Sequence, residues 1–159
     1  MRTINWKAGI WAGIVAGIIF LILEMVMVPL FLGGSPWGPP RMIAAIILGE
    51  GVLPPPATFN FGIVMVAIVL HMVLSVIYAL IIGYIIRKTP FGMALSIGAV
   101  IGLALYLVNF FLMTGVFPWF EMARNWVSIF AHLIFGLSAA WAYVKLREHS
   151  PEKDRILST

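Results

Sequence analysis

Long uncharged runs, broken by short clusters of ionisable and proline residues, set the pattern of this chain. No Asp, Glu, Lys or Arg occurs between Lys7 and Glu24, Glu24 and Arg41, Glu50 and Arg87, Lys88 and Glu121, or Arg124 and Lys145. About 20 apolar residues cross a bilayer as a helix. The runs therefore predict four spans, over 9–32, 61–86, 91–117 and 126–146. Hydrocarbon offers backbone groups no water, so each span must satisfy its own N–H and C=O groups, and a helix does so. The first span follows Arg2 and Lys7 as a signal peptide would. Its apolar stretch runs on past Glu24 to Leu32 with no small-x-small cleavage site, so it reads as a retained anchor.

The 33–60 loop departs from this pattern. It carries Pro36, Pro39, Pro40, Pro54, Pro55 and Pro56, and between them a short apolar stretch from Arg41 to Gly49. Proline at the start and glycine at the end predict a helix too short to span, lying at the interface as a cap or as a gating or binding loop. Arg41 and Glu50 are its charged residues. Basic residues orient the whole. Arg2, Lys7, Arg87, Lys88, Lys145, Arg147, Lys153 and Arg155 flank one side of the spans; Arg41 and Arg124 alone flank the other. The positive-inside rule places both termini and the 147–159 tail in the cytoplasm and the proline loop outside.

Composition sharpens the class. The 159 residues are 62% apolar and 10% charged, with a mean hydropathy of +1.07. Soluble domains are about 45–50% apolar and about 25% charged. A soluble enzyme and a nucleic-acid binder are thereby excluded, and the formal net charge of +4 reads as topology. No cysteine is present, which removes disulfides, thiolate metal sites and covalent c-type haem attachment. No phosphate-binding glycine loop, G-x-S-x-G or H-E-x-x-H motif occurs. The expectation is one integral membrane domain over 1–159, all-α, and not an enzyme.

Two spans share a signature. Gly13-x3-Gly17-x6-Glu24 on the first matches Gly98-x3-Gly102-x6-Asn109 on the third, at an offset of 85 residues. At 3.6 residues per turn each set forms one stripe, and small-xxx-small stripes let membrane helices approach closely. The second and fourth spans carry one histidine each, His71 and His132. The chain thus reads as two parallel-repeat hairpins related by an axis along the membrane normal.

At about 1.5 Å per residue, Glu24, His71, Asn109 and His132 all fall about 9–15 Å from the outer face. Ser75, Tyr78 and Ser128 share their stripes. A carboxyl at this depth is expensive, so Glu24 is either protonated and donating, or ionised beside a cation. The expectation is that it lies within hydrogen-bond or water-bridged reach of at least one of His71, Tyr78, Asn109 or His132. Four readings of this buried layer stand: a hydrogen-bond network fixing the packing, a proton relay or pH sensor, a bis-His haem or divalent-metal site on His71 and His132, and a small-molecule or quinone pocket. The outer-side methionines Met25, Met27, Met113 and Met122 raise copper, but they follow no tight repeat. Glu121 and Arg124, spaced i, i+3, predict a surface pair.

Taken in order, Gly13, Gly17 and Glu24, then Pro39-Pro40-Arg41, then His71 with Ser75, then Gly98 and Gly102, then His132 before a basic end, the chain resembles the YagU-type small inner-membrane proteins of bacteria. The resemblance covers about residues 9–147. It implies a four-helix inner-membrane protein with a proposed link to acid resistance. The family pattern has a histidine on the third span where this chain has Asn109. The function expected is proton- or ion-linked; the alternatives are an accessory subunit of a membrane complex and a haem or metal protein. Expected partners are the lipid bilayer and a homo-oligomer or larger membrane complex, with no nucleic acid and no obligatory cofactor.

Overall fold

The computed structural model describes residues 4–148; residues 1–3 and 149–159, which include most of the predicted 147–159 tail, lie outside the described residues. Five α-helices carry the fold: α1 (Trp6–Leu32), α2 (Gly38–Leu48), α3 (Phe61–Ile86), α4 (Phe91–Leu107) and α5 (Trp126–Glu148). There is no strand among the described residues. With its irregular continuation to Gly115, α4 is the third of four helices long and apolar enough to cross a membrane; α1, α3 and α5 are the others. The protein is an all-α, four-helix, multi-pass membrane protein.

Local chemistry fixes the helix ends. The side chains of Asn5 and Asn60 accept from the backbone N–H groups of Ala8 and Ile63, capping α1 and α3. Pro39 and Pro40 occupy the first turn of α2, where an N–H would lack an intrahelical partner anyway. Gly33 ends α1 at φ 68°, a left-handed position that favours glycine.

The third span departs from the expected regular helix over 91–117. After Leu107 the chain widens into a π turn, Val108–Leu112, then tightens into 3-10 turns over Met113–Gly115 and Pro118–Ala123. These changes of pitch break the α-helical bond pattern, and an arginine caps the result. Arg124 Nε donates to the Phe110 carbonyl at 2.6 Å, Nη2 donates to Thr114 Oγ1 at 2.9 Å, and Nη1 pairs with Glu121 at 3.0 Å. The i, i+3 pair is thus part of a clamp on the span's end. Arg124→Gln is expected to lower stability by about 1–3 kcal/mol, because half-buried acceptors lose a charged donor. Hydrogen exchange should speed up over 108–115 and stay unchanged in α1; uniform acceleration would contradict a local clamp.

The helices pack unequally. α1 lies along both α3 and α5, α4 lies along α5, and α2 crosses the end of α3. α3 and α4, although joined by a short turn, barely meet. That turn is held from α5: Arg147 donates through Nη1 to the Ile86 carbonyl and through Nη2 to the Thr89 carbonyl, both at 2.6 Å. At this end the core is solid, built from small residues of α1 (Ala8, Ala12, Ala16) against Ala79, Ile82 and Ile86 of α3 and Ala139, Ala140 and Tyr143 of α5. Apolar side chains facing outward, such as Ile22 and Val26 on α1, Val69 and Val73 on α3 and Val100 on α4, form the surface that contacts lipid.

The glycine stripes do the close packing. Gly13 and Gly17 sit against Ser75 and Val76 or Met72 of α3; Gly98 and Gly102 sit against His132, Gly136 and Ala140 of α5. In both hairpins the glycine pair meets the residue four positions past the histidine, Ser75 in one and Gly136 in the other. The pairs between hairpins differ, because α1 packs on α5 whereas α3 and α4 stand apart.

Candidate functional site

The separation of α3 from α4 leaves a cavity of about 600 Å³ beneath α2, at the end of the bundle away from the described termini. Glu24, His71, Ser75, Tyr78, Asn109 and His132 all line it. The structure therefore brings the six polar residues of the sequence-derived layer to one place. Glu24, His71, Ser75 and His132 are buried; Tyr78 and Asn109 are half-buried. Arg41 lines the α2 side, whereas Glu50 lies in an exposed turn.

The polar groups fall into two separate hydrogen-bonded groups, with Glu24 outside both. Three side chains make a directed chain across the gap. The Tyr78 hydroxyl donates to Asn109 Oδ1 at 3.4 Å, Asn109 Nδ2 donates to His132 Nε2 at 3.1 Å, and His132 Nδ1 donates to the Ser128 carbonyl at 2.8 Å. A carbonyl accepts only, so the proton sits on Nδ1 and Nε2 is the acceptor. The π turn starting at Val108 sets the backbone that carries Asn109 to this meeting point. A second, separate group holds His71, whose Nε2 donates to the Gly17 carbonyl at 2.9 Å with Ser75 Oγ 3.4 Å away. The close approach of α1 at Gly17 makes that bond possible. His71 Nδ1 is then the acceptor nitrogen of its ring.

Glu24 belongs to neither group. The expectation is direct or water-bridged reach of His71, Tyr78, Asn109 or His132; all of them share its cavity, and no direct hydrogen bond to any of them forms among the described residues. Its polar neighbour is the Ser128 side chain. Oε1 is buried without a hydrogen-bond partner, and the residue is 5% exposed. The physical reason is that each imidazole N–H is taken by a backbone carbonyl of its own surroundings, Gly17 or Ser128, and so is not donated to the carboxyl.

Phe20, one turn before Glu24, was not singled out by its sequence and is central here. Its ring stacks on His71 at 5.3 Å between centroids and meets His132 edge-on at 4.8 Å. An apolar residue in an apolar run carries no signal of such a role. Phe110 also meets His132, at 5.2 Å. A haem or a single metal ion held by both imidazoles would have to displace Phe20 from between them and Asn109 from His132 Nε2. Met113 and Met122 line the same cavity.

Comparison with family models, curated proteins and solved structures finds no match.

Proposed function

We propose that this chain is a non-enzymatic, proton- or ion-linked protein of a bacterial-type cytoplasmic membrane, with the Glu24 cavity as its working site. The observation that carries the reading is Glu24 Oε1, a carboxyl oxygen with no partner, in a cavity that also holds two imidazoles. A carboxyl whose only role was to fix helix packing would be bonded through both oxygens, whereas Glu24 has the Ser128 side chain as partner and leaves Oε1 unpaired, and an unpaired polar atom in such a setting costs free energy. Leaving it open suits a group that exchanges a proton or an ion.

The distribution of Lys and Arg supports cytoplasmic termini and an α2 cap on the outer face, so the cavity would lie in the outer half of the bilayer. The YagU-type resemblance, with its link to acid resistance, points the same way. The matching glycine contacts of the two hairpins support an internal repeat, adapted by prying α3 from α4. The cavity is formed within one chain, so a homo-oligomer would multiply sites and is not needed to complete one.

The test is pH-difference infrared spectroscopy of the purified protein. A carboxylic C=O band should appear as pH is lowered and vanish in Glu24→Gln. A pH-difference spectrum that is the same in wild type and Glu24→Gln removes the proton-linked reading, since the exposed Glu50 and Glu121 contribute equally to both.

A further inference from the structure

Resting on the reading of Glu24 as the working group, we propose that the cavity binds an amphipathic organic cation, an ammonium group on a compact apolar body, with its N–H donating to Glu24 Oε1. The donor inventory of the site decides the chemistry. The N–H groups of the imidazoles are taken by the Gly17 and Ser128 carbonyls, and one Asn109 amide N–H is taken by His132. A ligand that needs donors, such as a quinone carbonyl, finds those committed and is left with the second Asn109 N–H, the Ser75 hydroxyl and, at low pH only, a protonated Glu24. A ligand that brings donors finds Glu24 Oε1 open, with His71 Nδ1 as the acceptor nitrogen of its ring.

Charge selects an ammonium over a neutral donor. No ion pair to Glu24 forms among the described residues, so no side chain there neutralises it. The other titratable and charged groups around the cavity are His71 and Tyr78 on α3, Arg41 on α2 and His132 on α5. Arg41 is spent on backbone: Nη1 donates to the Val52 carbonyl at 2.6 Å, and Nε and Nη2 donate to the Thr58 carbonyl at 3.1 and 3.0 Å. A bound ammonium would supply both the missing hydrogen bond and the missing charge. Phe20, Phe110 and Phe135 line the cavity with aromatic surface suited to a cation and to its apolar body. The volume of about 600 Å³ lies within the usual range for small-molecule sites, about 300–1,000 Å³.

Proton and ammonium compete for one carboxyl. When R–NH3+ binds to the protonated site, the carboxyl proton leaves to water and the ammonium N–H takes its place on the carboxylate. No covalent bond of the ligand changes, and one proton is released per cation bound.

The experiment uses the full chain in nanodiscs of phosphatidylglycerol, with 1-adamantanamine as probe and 1-adamantanol as its neutral counterpart. Calorimetry in buffers of differing ionisation heat reads affinity and proton release together. Amine binding should be accompanied by release of up to one proton, weaken as pH falls, weaken at least tenfold in Glu24→Gln, and recover in part in Glu24→Asp. The alcohol should bind at least tenfold more weakly than the amine. A helical circular dichroism spectrum establishes that each variant is folded. Adding phosphatidylethanolamine to the discs tells a free amine from a lipid amine: reduced probe binding there assigns the site to the lipid headgroup, and unchanged binding assigns it to a free amine. Equal binding of amine and alcohol, or amine binding unchanged in Glu24→Gln, overturns the proposal. Absence of amine binding while the Glu24 infrared band titrates overturns the cation site and leaves the proton-linked reading intact. Absence of both overturns the two together.

Discussion

Gly136→Val is expected to prevent formation of the folded bundle. A side chain on Gly136 would run into the Gly98 carbonyl oxygen and come within 2.9 Å of the Gly102 backbone nitrogen and Cα. Real Cβ contacts below 3.0 Å essentially do not occur. The obstruction is backbone on a facing helix, so no rotamer relieves it, and α4 would have to leave α5. α4 has little else to hold it, because it barely meets α3. The cost should reach about 3 kcal/mol or more, at or beyond the upper end of overpacking penalties. Gly92, in the first turn of α4, is the control. Nothing lies within 4 Å of a Cβ there, and Gly92→Ala should be neutral or stabilising by up to about 1 kcal/mol through helix propensity. Thermal unfolding in detergent reads both. Wild-type stability of Gly136→Val would mean that α4 and α5 are not packed at this crossing.

Glu24→Leu is expected to stabilise the protein while removing its pH-dependent infrared band. Wild-type Glu24 leaves Oε1 without a partner in a buried position. Replacing it by a leucine of similar reach removes that desolvation penalty, about 1–3 kcal/mol, and adds apolar contact with the neighbouring phenylalanines. Glu24→Gln should melt close to wild type, since it keeps the shape and a polar head. The order of melting temperatures is therefore Leu above Gln and wild type. Retention of a destabilising group is the signature of a working site, where stability and activity trade against each other. A lower melting temperature for Glu24→Leu would show that the carboxyl holds the bundle together, and the site would then be a packing feature.

The same two residues show how far the sequence can be read. Glu24 was legible as an intramembrane carboxyl from its neighbours alone, because insertion into hydrocarbon acts on each side chain nearly independently. The unpaired state of its Oε1 was not legible. Depth along separate helices put His71 and His132 beside it, but the rings' orientation depends on which backbone carbonyls they meet, and that follows from helix rotation. Gly98 and Gly102 were legible as a packing stripe, whereas Gly136 was not singled out. It carries the same chemistry on a partner helix and gains its meaning only once the helices are paired.

Solvent and packing divide what the sequence determined from what the tertiary structure decided. Hydropathy is a sum over residues, and a bilayer imposes it one side chain at a time, so the spans, the short proline-started helix α2 and the shared depth of Glu24, His71, Asn109 and His132 followed from the chain alone. Lipid is as apolar as a helix interior, so an apolar run does not mark which of its faces turns inward. Phe20 between the imidazoles, the π turn at Val108–Leu112, the clamp of Arg124 on Phe110 and the opening between α3 and α4 all depend on how helices rotate and pair. They were settled only when the glycine contacts drew α1 onto α3 and α4 onto α5, leaving the cavity where α3 and α4 barely meet.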